Sequence, residues 1–153
     1  MPLPLCLRSA LAAVFTTGLA MAQVSYFSAS LDGAQEVPPN GSTAGGYGIV
    51  RLEEPANTVR VFVHWFGVGA VTASHLHLGA AGANGGVILG LAAGPQNTFT
   101  GSGVLAPANV AALKTAGTYL NVHSAAFPGG EVRGQVVPPT STYFSARLTG
   151  AQE

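Results

Sequence analysis

Between residues 59 and 65 the chain alternates without a break. Val59, Val61, Val63 and Trp65 share one face of an extended segment, and Arg60, Phe62 and His64 share the other. A period of two is the pattern of a β-strand, and apolar side chains on both faces make it a central one. Weaker segments of the same kind cover residues 26–31, 47–52, 74–78, 87–91, 99–105, 118–124 and 131–137. Gly, Pro and Asn punctuate them at intervals of about 8–15 residues, as in sandwiches and barrels. One stretch breaks the rule. Residues 107–116 open on Pro107 and stop just before Gly117, the punctuation of a short helix. The pattern predicts an all-β fold, a Greek-key-like β-sandwich with one short inserted helix.

Composition narrows the partners. Only 8% of the 153 residues are charged, six basic against six acidic, where a soluble domain usually has about 25%. With zero net charge and no basic cluster, the chain lacks the footprint of a nucleic-acid binder. The first 22 residues carry one Arg, an apolar run over 10–19 and Ala20-Met21-Ala22 before Gln23, the grammar of a cleaved signal peptide. The run is shorter than the roughly 20 residues a transmembrane helix needs and is interrupted by Thr16, Thr17 and Gly18. A secreted or periplasmic destination follows, with no transmembrane segment after cleavage. Cleavage would also remove Cys6, the only cysteine, so the exported chain must rely on a hydrophobic core rather than on disulfides.

The chain also repeats itself. Residues 26–36 and 143–153 agree at nine of eleven positions, 117 residues apart, far beyond the 20–50 residues of a solenoid unit. The repeating unit is therefore a whole domain. Residues 25–137 form one copy, Pro138-Pro139 and residues 140–142 a linker, and 143–153 the start of a truncated second copy. The segment 143–148 is also suited to strand exchange, adding as a strand to this domain or a neighbour.

Four histidines carry the chemistry. His75 and His77 lie two residues apart on an expected strand, so both imidazoles leave one face with Cα atoms about 6.5 Å apart. A third ligand from another strand would complete a site, and His123 is the natural candidate. Three neutral imidazoles suit copper or zinc better than magnesium or calcium, and an open position would leave room for redox chemistry. His64, flanked by Phe62 and Phe66, is a weaker fourth candidate. Glu131 and Arg133, two apart on one strand, read as a same-face ion pair, with Glu131 as an alternative ligand or partner to a histidine. The glycine-rich stretch 79–86 lacks the Gly-Lys-Ser/Thr of a phosphate loop and reads as a turn that brings backbone close to the two histidines. No Gly-x-Ser-x-Gly elbow occurs and no pair of carboxylates is persuasive as an acid–base couple, which favours a non-enzymatic binding or structural module over an enzyme.

Four motifs taken together resemble a known family. Phe27-x-Ala-x-Leu-x-Gly-Ala-Gln-Glu-Val-Pro-Pro39, His75-Leu-His-Leu-Gly79, Tyr119-Leu-Asn-Val-His123 and Pro128-Gly-Gly-Glu-Val-Arg-Gly-Gln135 are similar, in order and spacing, to the CHRD domain found in chordin and in bacterial exported proteins. The resemblance implies an extracellular or periplasmic β-rich module, often in tandem, with its recurrent histidines at His75, His77 and His123. It carries over no growth-factor role, because the cysteine-rich modules that accompany the domain in chordin are missing. The histidine pattern is also similar in outline to the copper ligands of Cu/Zn superoxide dismutase, but the chain lacks that family's bridging histidine, zinc-ligand cluster and disulfide. No motif in the chain encodes a protein or envelope partner.

Overall fold

A computed structural model of the chain describes residues 21–139. Eight strands and one helix follow in order: β1 Gln23–Asp32, β2 Gly45–Glu54, β3 Thr58–Phe66, β4 Val71–Leu78, β5 Val87–Gly94, β6 Thr98–Val104, α1 Pro107–Lys114, β7 Thr118–Ser124 and β8 Val132–Val136, with a single 3-10 turn at Gly33–Gln35. Every strand expected from the alternation is present, extended at most ends by one to three residues. Residues 1–20 of the expected signal peptide 1–22, residues 140–142 of the expected linker and the segment 143–153 lie outside the described residues.

The architecture departs from the expected sandwich. All neighbours pair antiparallel in the order β1-β2-β3-β6-β5-β4-β7-β8, and β8 returns to β1, closing a barrel. Alternation shows which residues turn inward, but a sandwich and a barrel share that alternation; they differ only in whether the first and last strands meet. The crossover character is retained, since β3 skips to β4 across one end of the barrel and β6 reaches β7 through α1 across the other. Val68 fills the first end, and Val110 and Leu113 of α1 cover the second.

Inside, the period-two rule holds strand by strand. Phe27, Ala29 and Leu31 of β1, Val50 and Leu52 of β2, Val59, Val61 and Val63 of β3, Phe99 of β6, Leu76 of β4, Leu120 and Val122 of β7, and Val132 and Val136 of β8 pack as one apolar cluster. Eight strands enclose just enough width for side chains to fill the interior. Gly48 makes room for this filling, because a Cβ there would collide with the Leu120 side chain arriving from across the barrel.

The β1–β8 seam is the sparsest. Ladder contacts are limited to Asp32 opposite Arg133 and a bridge between Ser28 and Val137. Between them the Gln35 carboxamide substitutes for a peptide group. Its Nε2 donates to the Ser30 carbonyl at 2.7 Å and to Asp32 Oδ2 at 2.8 Å, while its Oε1 accepts from the Gln135 amide at 3.2 Å. Gly134 lets the strands approach, since a Cβ there would strike the Ser30 carbonyl. At roughly 1 kcal/mol net per hydrogen bond, loss of these three should make Gln35→Ala lower unfolding stability by about 3 kcal/mol in a denaturant titration. A loss below about 0.5 kcal/mol would show that closure does not depend on this side chain.

Candidate metal centre

The outer face of β4, β7 and β8 is a second buried layer, and it is polar. Register places His77 opposite Tyr119, Tyr119 opposite Gln135, His75 opposite Asn121, Asn121 opposite Arg133, and Ala73 opposite His123. These side chains point away from the barrel interior, yet Arg133 is 1% exposed, Asn121 2% and Tyr119 4%. Two connections cover them. Residues 33–44 cross β8, and residues 79–86 fold back over β4 and β7.

The second connection is held by Arg133. Its guanidinium donates to the carbonyls of Ala80 and Ala83 at 3.2 and 2.7 Å and to Asn84 Oδ1 at 3.2 Å, and lies 3.4 Å from the Tyr119 ring centroid. His77 stacks on Tyr119 at 4.7 Å with the planes 8° apart. Since β4 and β8 flank β7, the phenol ring lies between imidazole and guanidinium. Gly85 then passes so close to β4 that any Cβ would run into the Leu78 carbonyl, and its own carbonyl accepts from His77 Nδ1 at 3.0 Å. The turn read from the glycines thus does bring backbone to the histidine face.

His75, His77 and His123 converge. One ring nitrogen of each lies within 4.8 Å of those of the other two, and ring centroids are 5.0–6.4 Å apart. Two tautomers are fixed from behind. His77 donates Nδ1–H to Gly85, and His123 donates Nδ1–H to the Pro128 carbonyl at 2.9 Å, so each offers the Nε2 lone pair. His123 Nε2 lies 3.1 Å from His75 Nδ1, and His77 Nε2 is buried beside the Asn121 amide. Orientation of a ligating imidazole by a carbonyl on its other nitrogen is the usual support of a metal site. Two nitrogens on one ion at about 2.1 Å each cannot be more than about 4.2 Å apart, so closing on a metal requires only side-chain adjustment. Burial, and then the charges of the other two imidazoles, hold His75 below the ordinary imidazole range. Burial likewise lowers His77, partly offset by hydrogen bonds with the Gly85 carbonyl and the Asn121 side chain. Both are therefore neutral near pH 7, as ligands must be.

The other candidates stand elsewhere. His64 lies on the outer face of β3, stacked on Tyr47 at 5.2 Å, with β6 and β5 between β3 and β4. The expected Glu131–Arg133 ion pair is not formed. Glu131 precedes β8, and its Oε1 accepts from Ser42 Oγ at 2.9 Å, whereas the guanidinium is committed to loop carbonyls and the Tyr119 ring. Asn40 ties the first connection down by donating to the carbonyls of Gly130 and Glu131.

Sequence reasoning passed over Glu36. It is 6% exposed, its Oε1 has no hydrogen-bond partner, and it sits against Gly130, where a Cβ would come within 2.5 Å of the carboxyl. Desolvation raises its pKa to about 7, against the opposing pull of Arg133 and the Val37 amide. Its place in the Gly-Ala-Gln-Glu motif was the only signal. A carboxyl whose pKa is raised on folding stabilises the fold below its unfolded value, near 4.5, and loses that contribution as pH rises through about 7. The two histidines have the opposite sign, weakening the fold as pH falls below about 6.5. Glu36→Gln should therefore remove a fall in stability of order 2–3 kcal/mol between pH 4.5 and 7, read from denaturant midpoints. An unchanged pH profile would contradict the burial of this carboxyl.

The CHRD domain model matches residues 27–136. No curated protein and no solved structure matches the chain.

Proposed function

Because the chain belongs to the CHRD domain family, we propose that it is an exported, non-enzymatic binding module whose working element is a copper or zinc ion held by His75, His77 and His123. The observation that carries this reading is the convergence of three imidazoles, one ring nitrogen of each within 4.8 Å of those of the other two, with Nδ1 of His77 and of His123 tied to backbone carbonyls. No helix among the described residues is long and apolar enough to cross a membrane, and the family context together with the signal-like first 22 residues supports export to the periplasm or the cell exterior.

The ligand set favours borderline metals. It contains neither thiolate nor carboxylate; Glu131 accepts from Ser42 and Glu36 packs against Gly130. Three imidazoles leave a fourth position for water or a small exogenous ligand. With copper this arrangement allows electron transfer; with zinc it is a binding or structural site.

Tag-free chain should take up one equivalent of Zn(II) or Cu(II), measured by metal analysis after gel filtration. At a free-metal concentration a hundredfold above Kd, it should gain about 2.7 kcal/mol of stability. His75→Ala, His77→Ala and His123→Ala should each abolish that gain while the His64→Ala variant retains it. Sub-stoichiometric metal with an unchanged melting temperature would sink the assignment. Acid should release the metal only below pH of about 6.5, because the folded protein resists protonation of His75 and His77; release beginning well above that pH would point to other ligands.

A further inference from the structure

The histidines stand on one side of the barrel, on β4 and β7; the opposite side is built from β1, β2, β3 and β6, and its outer face has a different chemistry. Register places Ser30, Tyr47, His64 and Thr98 side by side across these four strands, with Ser28, Ile49, Phe62 and Thr100 in the next row. Both rows share one plan, rings or an aliphatic side chain at the centre and a hydroxyl at each edge. The Tyr47 ring lies 5.2 Å from that of His64 and 6.2 Å from that of Phe62, so the centre is a continuous ring surface. Tyr26, Tyr47, Ile49 and Phe66 are 43–55% exposed, although the solvated face of an antiparallel sheet is ordinarily polar. An exposed apolar patch rimmed by polar groups marks a binding surface.

The third row supplies charge. Arg51 on β2 stands directly opposite Arg60 on β3, an arrangement that costs stability because like charges face each other. One carboxylate serves both: Glu53 pairs closely with Arg51, and Arg60 reaches it only at 3.9 Å, with its side chain 71% exposed. Lys114 pairs with Glu54, and Arg133 is buried. Among the described residues Arg60 is therefore the one exposed cation without a close partner, and an anion is what this corner of the face lacks. A groove beside it is lined by Thr100 and Ser102, and a second groove, on the other side of the rings, by Tyr26, Ser28 and Ile49.

The complementary ligand alternates apolar faces with hydroxyls and carries carboxylates. The C–H face of a sugar ring packs on an aromatic face, whose negative centre attracts the polarised hydrogens. Sugar hydroxyls exchange hydrogen bonds with Ser and Thr, which both donate and accept, and a uronate carboxylate matches the guanidinium fork. Neighbouring strands are about 4.8 Å apart, so four of them make a face about 14 Å across, wider than one sugar ring. A single-stranded nucleic acid also stacks on rings, but it needs a positive groove that tracks its phosphates, and one free guanidinium does not make one. We infer that the outer face of β1, β2, β3 and β6 binds an acidic polysaccharide, with Arg60 on a uronate carboxylate and Tyr47 and Phe62 beneath the sugar rings. This surface is separate from the histidine site and does not depend on a metal.

The test titrates tag-free chain by calorimetry with a polygalacturonate oligosaccharide, its fully methyl-esterified form and a thymidine oligonucleotide. Binding of the first should be saturable and should weaken at least tenfold on esterification, a comparison that needs no protein variant. Arg60→Gln and Tyr47→Ala, both at outward positions that leave the barrel interior intact, should each weaken it at least tenfold as well. Absence of binding, equal affinity for the esterified form, or unchanged affinity in Arg60→Gln would overturn the inference. So would tighter binding of the oligonucleotide, which would assign the face to a nucleic acid, or a dimer in sedimentation that Tyr47→Ala dissociates, which would assign it to a second copy of the chain.

Discussion

The candidate site depends on one buried guanidinium. Arg133 is almost wholly removed from water and no carboxylate pairs with it, a placement that would be prohibitive for an unsatisfied charge. Its stabilisation comes instead from two backbone carbonyls, one side-chain amide oxygen and the face of Tyr119. Each of these partners is thereby fixed in place. The carbonyls belong to the connection after β4, so satisfying the charge also determines the path of residues 79–86 and sets Gly85 against His77.

The consequence is a barrel with two kinds of interior. Inside the strands, aliphatic side chains alternate inward in the ordinary way and supply the core. Outside β4, β7 and β8, polar side chains are covered by loops and lose most of their contact with water, so each hydrogen bond there is both stronger and more costly to leave unmade. In this layer the imidazoles of His75 and His77 are held neutral, a carboxyl is pushed toward its neutral form, and backbone carbonyls select which ring nitrogen of His77 and His123 faces inward. The three histidines stand where this layer meets solvent, His77 buried and the other two half-buried, as suits an ion that must enter.

Much of this was legible in the chain because it follows from periodicity. Alternation located all eight strands, and the His75-Leu76-His77 spacing required two imidazoles on one face. Bringing His123 to the same face needs β4 and β7 to be neighbours, which no local pattern specifies; the shared family motif named the residue without supplying the geometry. The sandwich expectation failed because closure rests on the Gln35 carboxamide and on Gly134, features with no periodic signal. The Glu131–Arg133 pairing failed for a different reason. A spacing of two places side chains on one face but does not reveal competing acceptors, and Ser42 and the loop carbonyls come from distant parts of the chain. Glu36 was hidden for the same reason, since its burial is produced by the approach of Gly130.

The central claim is that three imidazoles, and no sulfur or carboxylate, hold a metal ion on the outer face of β4 and β7. X-ray absorption at the metal edge of tag-free, zinc- or copper-loaded protein tests it most directly. The account predicts about three nitrogen scatterers at about 2.0–2.1 Å, with the outer-shell scattering pattern of imidazole rings and one further light atom at most. A shell dominated by oxygen without imidazole scattering, or the same spectrum from His77→Ala protein, would contradict it.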